Sequence, residues 1–167
     1  MEQVFILPHT VCFESYVKAF QYNVLNNILY TNTKLHKLGF TADDRCSFCK
    51  FEPKTLEHRL FYCTYSKRFW KDFESYFHSL TNEFNSITLQ DVLIGIKASS
   101  CPLLNYFLLW IAKIYIWDCR RTHTVPKING FRLKMRLKYE SEKYIYTKNN
   151  KITNFNKEWA LHLHSVT

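Results

Sequence analysis

Apolar positions recur at helical spacing through most of the chain and predict a succession of amphipathic helices. Between residues 13 and 30 they return every three or four positions, which places them on one stripe of a helix. The members of this stripe are Phe13, Tyr16, Val17, Phe20, Val24 and Ile28. We therefore expect one face of this first helix to be buried.

Polar residues at the ends of the apolar segments supply the expected helix boundaries. Thr31 or Asn32 can cap a second short helix, which Gly39 is placed to end. Helical spacing resumes at Thr55, and Thr88 is a candidate cap for another short helix. These signals predict short helices joined by polar turns.

The C-terminal part continues the helical pattern with one ambiguous stretch. Ser99 and Ser100 before Pro102 predict the start of a mostly buried helix that runs to about Arg121. Residues 131–140, FRLKMRLKYE, alternate apolar and basic side chains, which on periodicity alone is typical of a strand. Their helix-forming composition and lack of β-branched residues favour a helix instead. A last short helix is expected in the tail, KITNFNKEWALHLH.

No segment predicts export or membrane insertion. The N-terminus, MEQVFILPHTVCF, lacks the basic region and long apolar core of a signal peptide. The apolar stretch at 103–117 is too short to cross a bilayer. We therefore expect an intracellular protein, nuclear or cytoplasmic and not secreted, with no membrane partner. Its six cysteines are then expected to be thiols and metal ligands, and Cys12, Cys101 and Cys119 to be small buried side chains.

Charge is distributed unevenly along the chain. Residues 1–96 contain ten basic and ten acidic side chains, whereas residues 97–167 contain thirteen basic and four acidic ones. The whole net charge of +9 therefore lies in the C-terminal part. Such an excess indicates a polyanionic partner, usually RNA or DNA and less often an acidic membrane or protein surface.

A cysteine–histidine cluster occupies the middle of the chain. Its pattern is Cys46-x2-Cys49-x8-His58-x4-Cys63. Three cysteines and one histidine are a standard tetrahedral ligand set for structural Zn²⁺, and four protein ligands leave no position open for catalysis. We therefore expect Zn²⁺ as the cofactor, in a structural role.

The last two ligands of this set impose a condition on the backbone. On an unbroken α-helix His58 and Cys63 would lie about 140° apart. They converge only if the helix ends or bends, so we expect a break near residues 61–63.

Residues 31–70, TNTKLHKLGFTADDRCSFCKFEPKTLEHRLFYCTYSKRFW, resemble a known family. They are similar to the zinc-binding region that follows the polymerase in reverse transcriptases of non-LTR (LINE-type) retrotransposons, and the specific similarity covers about residues 13–80. The matching positions are Leu35, Gly39, Cys46, Phe48, Cys49, Thr55 to His58, Cys63, Phe69 and Trp70. The resemblance implies the same four zinc ligands, and nucleic-acid binding in the service of a polymerase region.

These observations predict a mostly α fold in three parts. An N-terminal segment, 1–12, precedes a zinc-binding region at 13–95, where a small zinc-bound knuckle lies between amphipathic helices. A basic helical extension occupies 96–167. We expect a truncated or remnant piece of a retroelement protein without a polymerase active site, because too few residues precede the cluster to form one.

Basic side chains of the extension are the candidates for binding RNA or DNA. They are Arg120, Arg121, Arg132, Lys134, Arg136 and Lys138. Interleaved aromatics, Phe131, Tyr139, Tyr144 and Tyr146, either stack on bases or belong to the core. Basic residues around the zinc cluster can extend the patch: Lys50, Lys54, Arg59, Lys67, Arg68 and Lys71.

Two other functions remain open. In the first, the apolar helices make the chain a structural or protein-interaction module that docks on a polymerase or on a second copy. In the second, Asp118, Cys119 and His123 suggest an enzyme, although a solvated helix end explains them equally well. Asp43 and Asp44, in FTADD, resemble the metal-binding turn of a polymerase, but Thr41 replaces its aromatic residue and turn residues are expected here.

Overall fold

The computed structural model describes residues 15–81, 86–95 and 102–159, and these residues are mostly helical. The helices are α1 (Ser15–Leu25), α2 (Asn32–Lys37), a π-helical turn (His58–Tyr62), α3 (Thr64–Thr81), α4 (Leu89–Ile94), α5 (Pro102–Asp118), α6 (Ile128–Lys148) and α7 (Ile152–Trp159). Among the described residues the only β pairing is an isolated antiparallel bridge between Arg45 and Pro53. The mostly α prediction is confirmed.

The predicted caps form in two of the short helices. The Thr31 hydroxyl accepts a hydrogen bond from the amide of Lys34, and Gly39, two residues after α2, has a φ of +77°. The Thr88 hydroxyl accepts from the amide of Asp91, whose carboxylate accepts from the Thr88 amide in return. Each cap satisfies helix amides that have no partner within the helix.

Helix α1 buries a narrower stripe than its sequence predicts. Val17, Phe20 and Val24 are buried, as expected, but Tyr16 is exposed. Ile28 lies beyond the end of the helix and is also exposed, and Phe13 falls outside the described residues. The helix ends at Leu25, so the periodic pattern outlasts the element by several residues.

Helix α5 is the central buried element. It begins at Pro102, as predicted, while Ser99 and Ser100 lie outside the described residues. Every residue from 109 to 114 is buried. The helix ends at Asp118, earlier than the expected end near Arg121, and a turn follows. No helix within the described ranges has the length and apolar character needed to cross a membrane.

The ambiguous stretch at 131–140 is helical and lies within α6. Only Phe131 and Met135 of this helix are fully buried, four residues apart on one face. This narrow contact leaves most of the helix exposed. The alternation of apolar and basic side chains at 131–140 therefore occurs within a helix and does not reflect a strand. Helix α7 packs on α6, with Phe155 and Trp159 against the ring of Tyr139.

An aromatic cluster joins the zinc region to the C-terminal helices. Phe69 and Phe73 of α3 meet Phe131 of α6 at ring-centroid distances of 5.9 and 5.5 Å. Tyr115 of α5 lies 5.7 Å from the Phe69 ring. Rings at these distances interact favourably, so helices from both halves of the chain share one core.

Candidate metal centre

The first two candidate ligands are presented by a short hairpin. The bridge between Arg45 and Pro53 closes it, and the amide of Cys46 donates to the carbonyl of Glu52 at 2.8 Å. Inside the hairpin a turn brings the amide of Lys50 to the carbonyl of Cys46, and Lys50 adopts a φ of +66°. The turn therefore holds both thiols of the Cys-x2-Cys pair on the same side.

The other two ligands converge because the helix between them is widened and then broken. The amide of Cys63 donates to the carbonyl of His58 at 2.7 Å, a bond between residues five apart that defines a π turn. Cys63 itself has a ψ of 137°, so the helix stops there. The break expected near residues 61–63 is confirmed.

The four side chains lie at distances suited to one tetrahedral ion. Their ligand atoms all fall within 4.8 Å of one another. The Cys46 and Cys63 sulfurs are 3.8 Å apart, and the Cys49 sulfur lies 3.4 Å from Nε2 of His58. Ligand bonds of about 2.3 Å for sulfur and 2.0 Å for nitrogen imply tetrahedral edges of about 3.8 and 3.5 Å. The residues therefore fit Zn²⁺.

Burial supports a structural site. Cys46, Cys49 and Cys63 are buried, and His58 is half-buried. The sulfur–sulfur separation greatly exceeds the disulfide bond length of about 2.05 Å, so the cysteines are free thiols or thiolates. The hydrogen bond between Cys46 and Cys63 lowers the pKa of Cys46 and raises the pKa of Cys63, so one of these two thiols keeps a proton that zinc binding would release.

Two basic side chains beside the cluster are buried, contrary to the expectation that they extend a surface patch. Lys54 and Arg59 are both fully inaccessible to solvent. Burial lowers the pKa of Lys54 to about 7 and that of Arg59 to about 10. Neither is available for contact with RNA or DNA in this structure. The sequence carried no signal for this burial, in which Arg59 reaches carbonyls of α5 and Lys54 donates to Asn32 and Ser47.

The six candidate nucleic-acid residues occupy different environments. Arg120 donates to the carbonyl of Tyr30 at 2.8 Å, and Arg121 pairs with Asp118 at 3.1 Å. Lys134 also pairs with Asp118, at 2.7 Å, and Lys138 pairs with Glu142 at 2.8 Å. By contrast, Arg132 and Arg136 are exposed on α6. The structure therefore divides the predicted set into paired and exposed members.

Most of the interleaved aromatics belong to the core. Phe131 is fully buried, and the rings of Tyr139 and Tyr146 pack on Phe155. Of these four aromatic residues only Tyr144 is exposed, with 67% of its surface accessible to solvent. Base stacking by the other three is therefore not supported by their positions.

Of the three residues that suggested catalysis, Asp118 and Cys119 have structural contacts or burial, and His123 is exposed in the turn after α5. Asp118 binds Arg121 and Lys134, and Cys119 is buried, which raises the pKa of its thiol. Asp43 lies in a loop, where its carboxylate accepts from the amide of Arg45 at 3.0 Å. These contacts give Asp118 and Asp43 structural partners.

Comparison with known proteins agrees with the geometry of the site. A family model described as zinc-binding in reverse transcriptase matches residues 9–70, which include all four candidate ligands. That description concerns a zinc-binding region and not a polymerase catalytic domain. No curated protein and no solved structure matches the chain. The match and the ligand geometry together support a zinc-binding module of the reverse-transcriptase type.

Proposed function

We propose that the zinc module holds a basic helical surface against RNA or DNA, as a non-catalytic accessory region of a non-LTR reverse transcriptase. The zinc site supplies no open coordination position, so its contribution is to fix the helices that follow it. The observation that carries the proposal is an exposed basic ridge on α6.

This basic ridge consists of Arg132, Arg136 and Lys143. Their spacing places all three on one face of the helix, and all are exposed. No described carboxylate lies within ion-pair distance of them, whereas Lys134 and Lys138 on the opposite face of the helix are neutralised by acids. The ridge extends about 16 Å along the helix axis, given a rise of 1.5 Å per residue.

A ridge of this kind binds phosphates in preference to base edges. Contacts to phosphate release counterions, so affinity falls as salt rises, with a slope of about −0.7 to −0.9 per contact. Tyr144, which is exposed on the same helix, offers one ring for stacking on an unpaired base. We therefore expect binding that depends strongly on salt and weakly on sequence.

A pair of charge-matched double variants tests the proposal. Arg132→Gln/Arg136→Gln removes two exposed charges, and Lys134→Gln/Lys138→Gln removes two paired charges from the same helix. We expect the first to weaken binding of a single-stranded oligonucleotide much more, and to reduce the salt slope by about one to two contacts. Equal losses in both variants would show a general charge effect, and binding unchanged by the first would refute the proposal.

A second function is favoured by an apolar stripe on the same helix. Leu133, Leu137 and Tyr144 are exposed and share one face. Arg136 flanks this stripe, which favours a partner whose rim is acidic. A polymerase region with such a rim is the partner that we expect. Sedimentation should show a monomer that forms a complex with such a region, and loss of the complex in Leu133→Ser/Leu137→Ser.

A further inference from the structure

With zinc bound, the four-ligand site would carry a net negative charge at a buried position. Zn²⁺ with three thiolates and one neutral imidazole has a charge of −1, and burying an uncompensated charge is costly. Lys54 and Arg59 are the fully buried cations beside it. No described carboxylate pairs with either side chain, so the metal complex is the negative group that they face.

Both cations act on the same small residue of the zinc knuckle. Nζ of Lys54 lies 2.9 Å from the hydroxyl oxygen of Ser47, and a terminal nitrogen of Arg59 lies 3.1 Å from it. Ser47 follows Cys46 in the turn that presents the first two thiols. The two cations therefore brace the turn and balance the charge of the ligands that it carries.

Arg59 alone also reaches the C-terminal helices. Its other terminal nitrogen donates to the carbonyls of Ile116 and Trp117, at 3.2 and 3.1 Å. These carbonyls belong to the last turn of α5, where helix carbonyls lack helical partners and a cation is favourable. The guanidinium is held over the Phe48 ring, 4.2 Å from its centroid.

We propose that Arg59 couples occupancy of the zinc site to the docking of the C-terminal end of α5. One guanidinium joins the knuckle turn to the end of a helix more than fifty residues away. Its burial there is compensated when the metal complex is present. Zinc binding therefore stabilises both the knuckle and the placement of α5, which in turn contacts α6.

Three variants separate the positive charge of Arg59 from its hydrogen bonds to Ser47 and to the carbonyls of α5. Arg59→Met removes both, and Arg59→Lys keeps the charge but lacks the planar fork that spans the hydroxyl and two carbonyls. Lys54→Met removes a charge that makes no contact with α5. Arg68→Met is the control, because it removes an arginine from an exposed position of α3.

Two measurements on the full chain read out the effects. Competition with a chromogenic chelator gives zinc affinity, and hydrogen exchange of the zinc-loaded protein compares residues 46–58 with residues 109–121. Arg59→Met should weaken zinc binding about 10- to 100-fold and speed exchange at 109–121. Arg59→Lys should speed exchange at 109–121 while residues 46–58 stay protected. Lys54→Met should weaken zinc binding without speeding exchange at 109–121.

Titration of the wild-type protein with zinc adds a test that needs no variant. Protection at 109–121 should rise with the same zinc dependence as protection at 46–58, and Arg68→Met should behave like wild type. Protection at 109–121 that does not respond to zinc would overturn the proposal. The proposal would also be overturned if Arg59→Lys had the zinc affinity and the exchange rates of wild type. This second result tests the proposal even if Arg59→Met does not fold.

Discussion

The hydroxyl of Tyr115 occupies the space that a side chain at position 130 would need. A Cβ built on Gly130 would overlap this oxygen, and the next nearest atom, the ring carbon that bears it, would be 3.1 Å away. The same hydroxyl donates to the carbonyl of Lys127 at 3.0 Å, just before α6 begins. Gly130 thus permits the close approach of α5 and α6.

Substituting Gly130 by alanine should destabilise the protein even though alanine favours helices. We expect a loss of about 1–3 kcal/mol in the free energy of unfolding, because the added methyl group overpacks a tight contact. Chemical denaturation measures this loss.

A double-mutant cycle supplies the control for that overlap. Tyr115→Phe removes the hydroxyl oxygen, so Gly130→Ala should cost less in that background than in wild type. Equal costs in the two backgrounds would contradict the overlap with the hydroxyl.

Removal of the metal should unfold the knuckle. Structural zinc contributes folding free energy, about 10–16 kcal/mol in small zinc modules, so chelation should lower the Tm sharply. Cys63→Ala should abolish the dependence of Tm on zinc and the thiolate-to-metal absorption of the cobalt form. Cys119→Ala, which removes another buried thiol, should retain both, and a wild-type Tm insensitive to chelation would contradict the site.

The stability of the protein should rise with pH because Lys113 is buried. Burial lowers the pKa of its amine from 10.5 to about 7, and its partner is the side-chain oxygen of Gln21. Between these values the unfolded chain binds a proton that the folded chain does not. Stability therefore increases with pH in this window, by up to about 1.4 kcal/mol per pH unit.

Replacement of this lysine isolates its contribution. Lys113→Met should reduce the slope of unfolding free energy against pH between about 7 and 10, whereas Lys37→Met, at an exposed site, should leave it unchanged. Denaturation at several pH values measures the slopes. Identical slopes in wild type and Lys113→Met would mean that this amine keeps its proton in the folded state.

The cap at Thr88 should stabilise α4 measurably. Thr88→Ala removes an acceptor for the Asp91 amide and should cost about 1 kcal/mol. Thr88→Ser keeps the hydroxyl and should cost much less. Urea denaturation compares the two variants, and equal losses would show that the hydroxyl is not the stabilising group.

Features set by neighbouring residues were predictable from sequence. The four ligands, the break before Cys63 and the caps at Thr31 and Thr88 each depend on a few adjacent positions. The helical state of residues 131–140 followed from composition, since propensity is also a local property. The fold class and the candidate metal centre were therefore within reach of the sequence.

Features set by distant contacts were not predictable in the same way. Arg59 is buried because it reaches carbonyls of α5, 57 and 58 positions along the chain. Tyr16 shares the spacing of the α1 stripe but remains exposed. Which aromatics of α6 enter the core depends on how α3 and α7 pack on it. Periodicity identifies a face but not the neighbour that covers it.

The π turn from His58 to Tyr62 fits one more residue between the ligands His58 and Cys63 than an ordinary helical turn would. On an ordinary helix two ligands four residues apart lie about 40° from each other, so a single deletion would keep them on one face, whereas an insertion would swing Cys63 by about 100° around the axis. Replacing Phe61 or Tyr62, which are not fully buried, leaves the number of residues unchanged. Variation between His58 and Cys63 should therefore take the form of substitutions or single deletions, with insertions disfavoured.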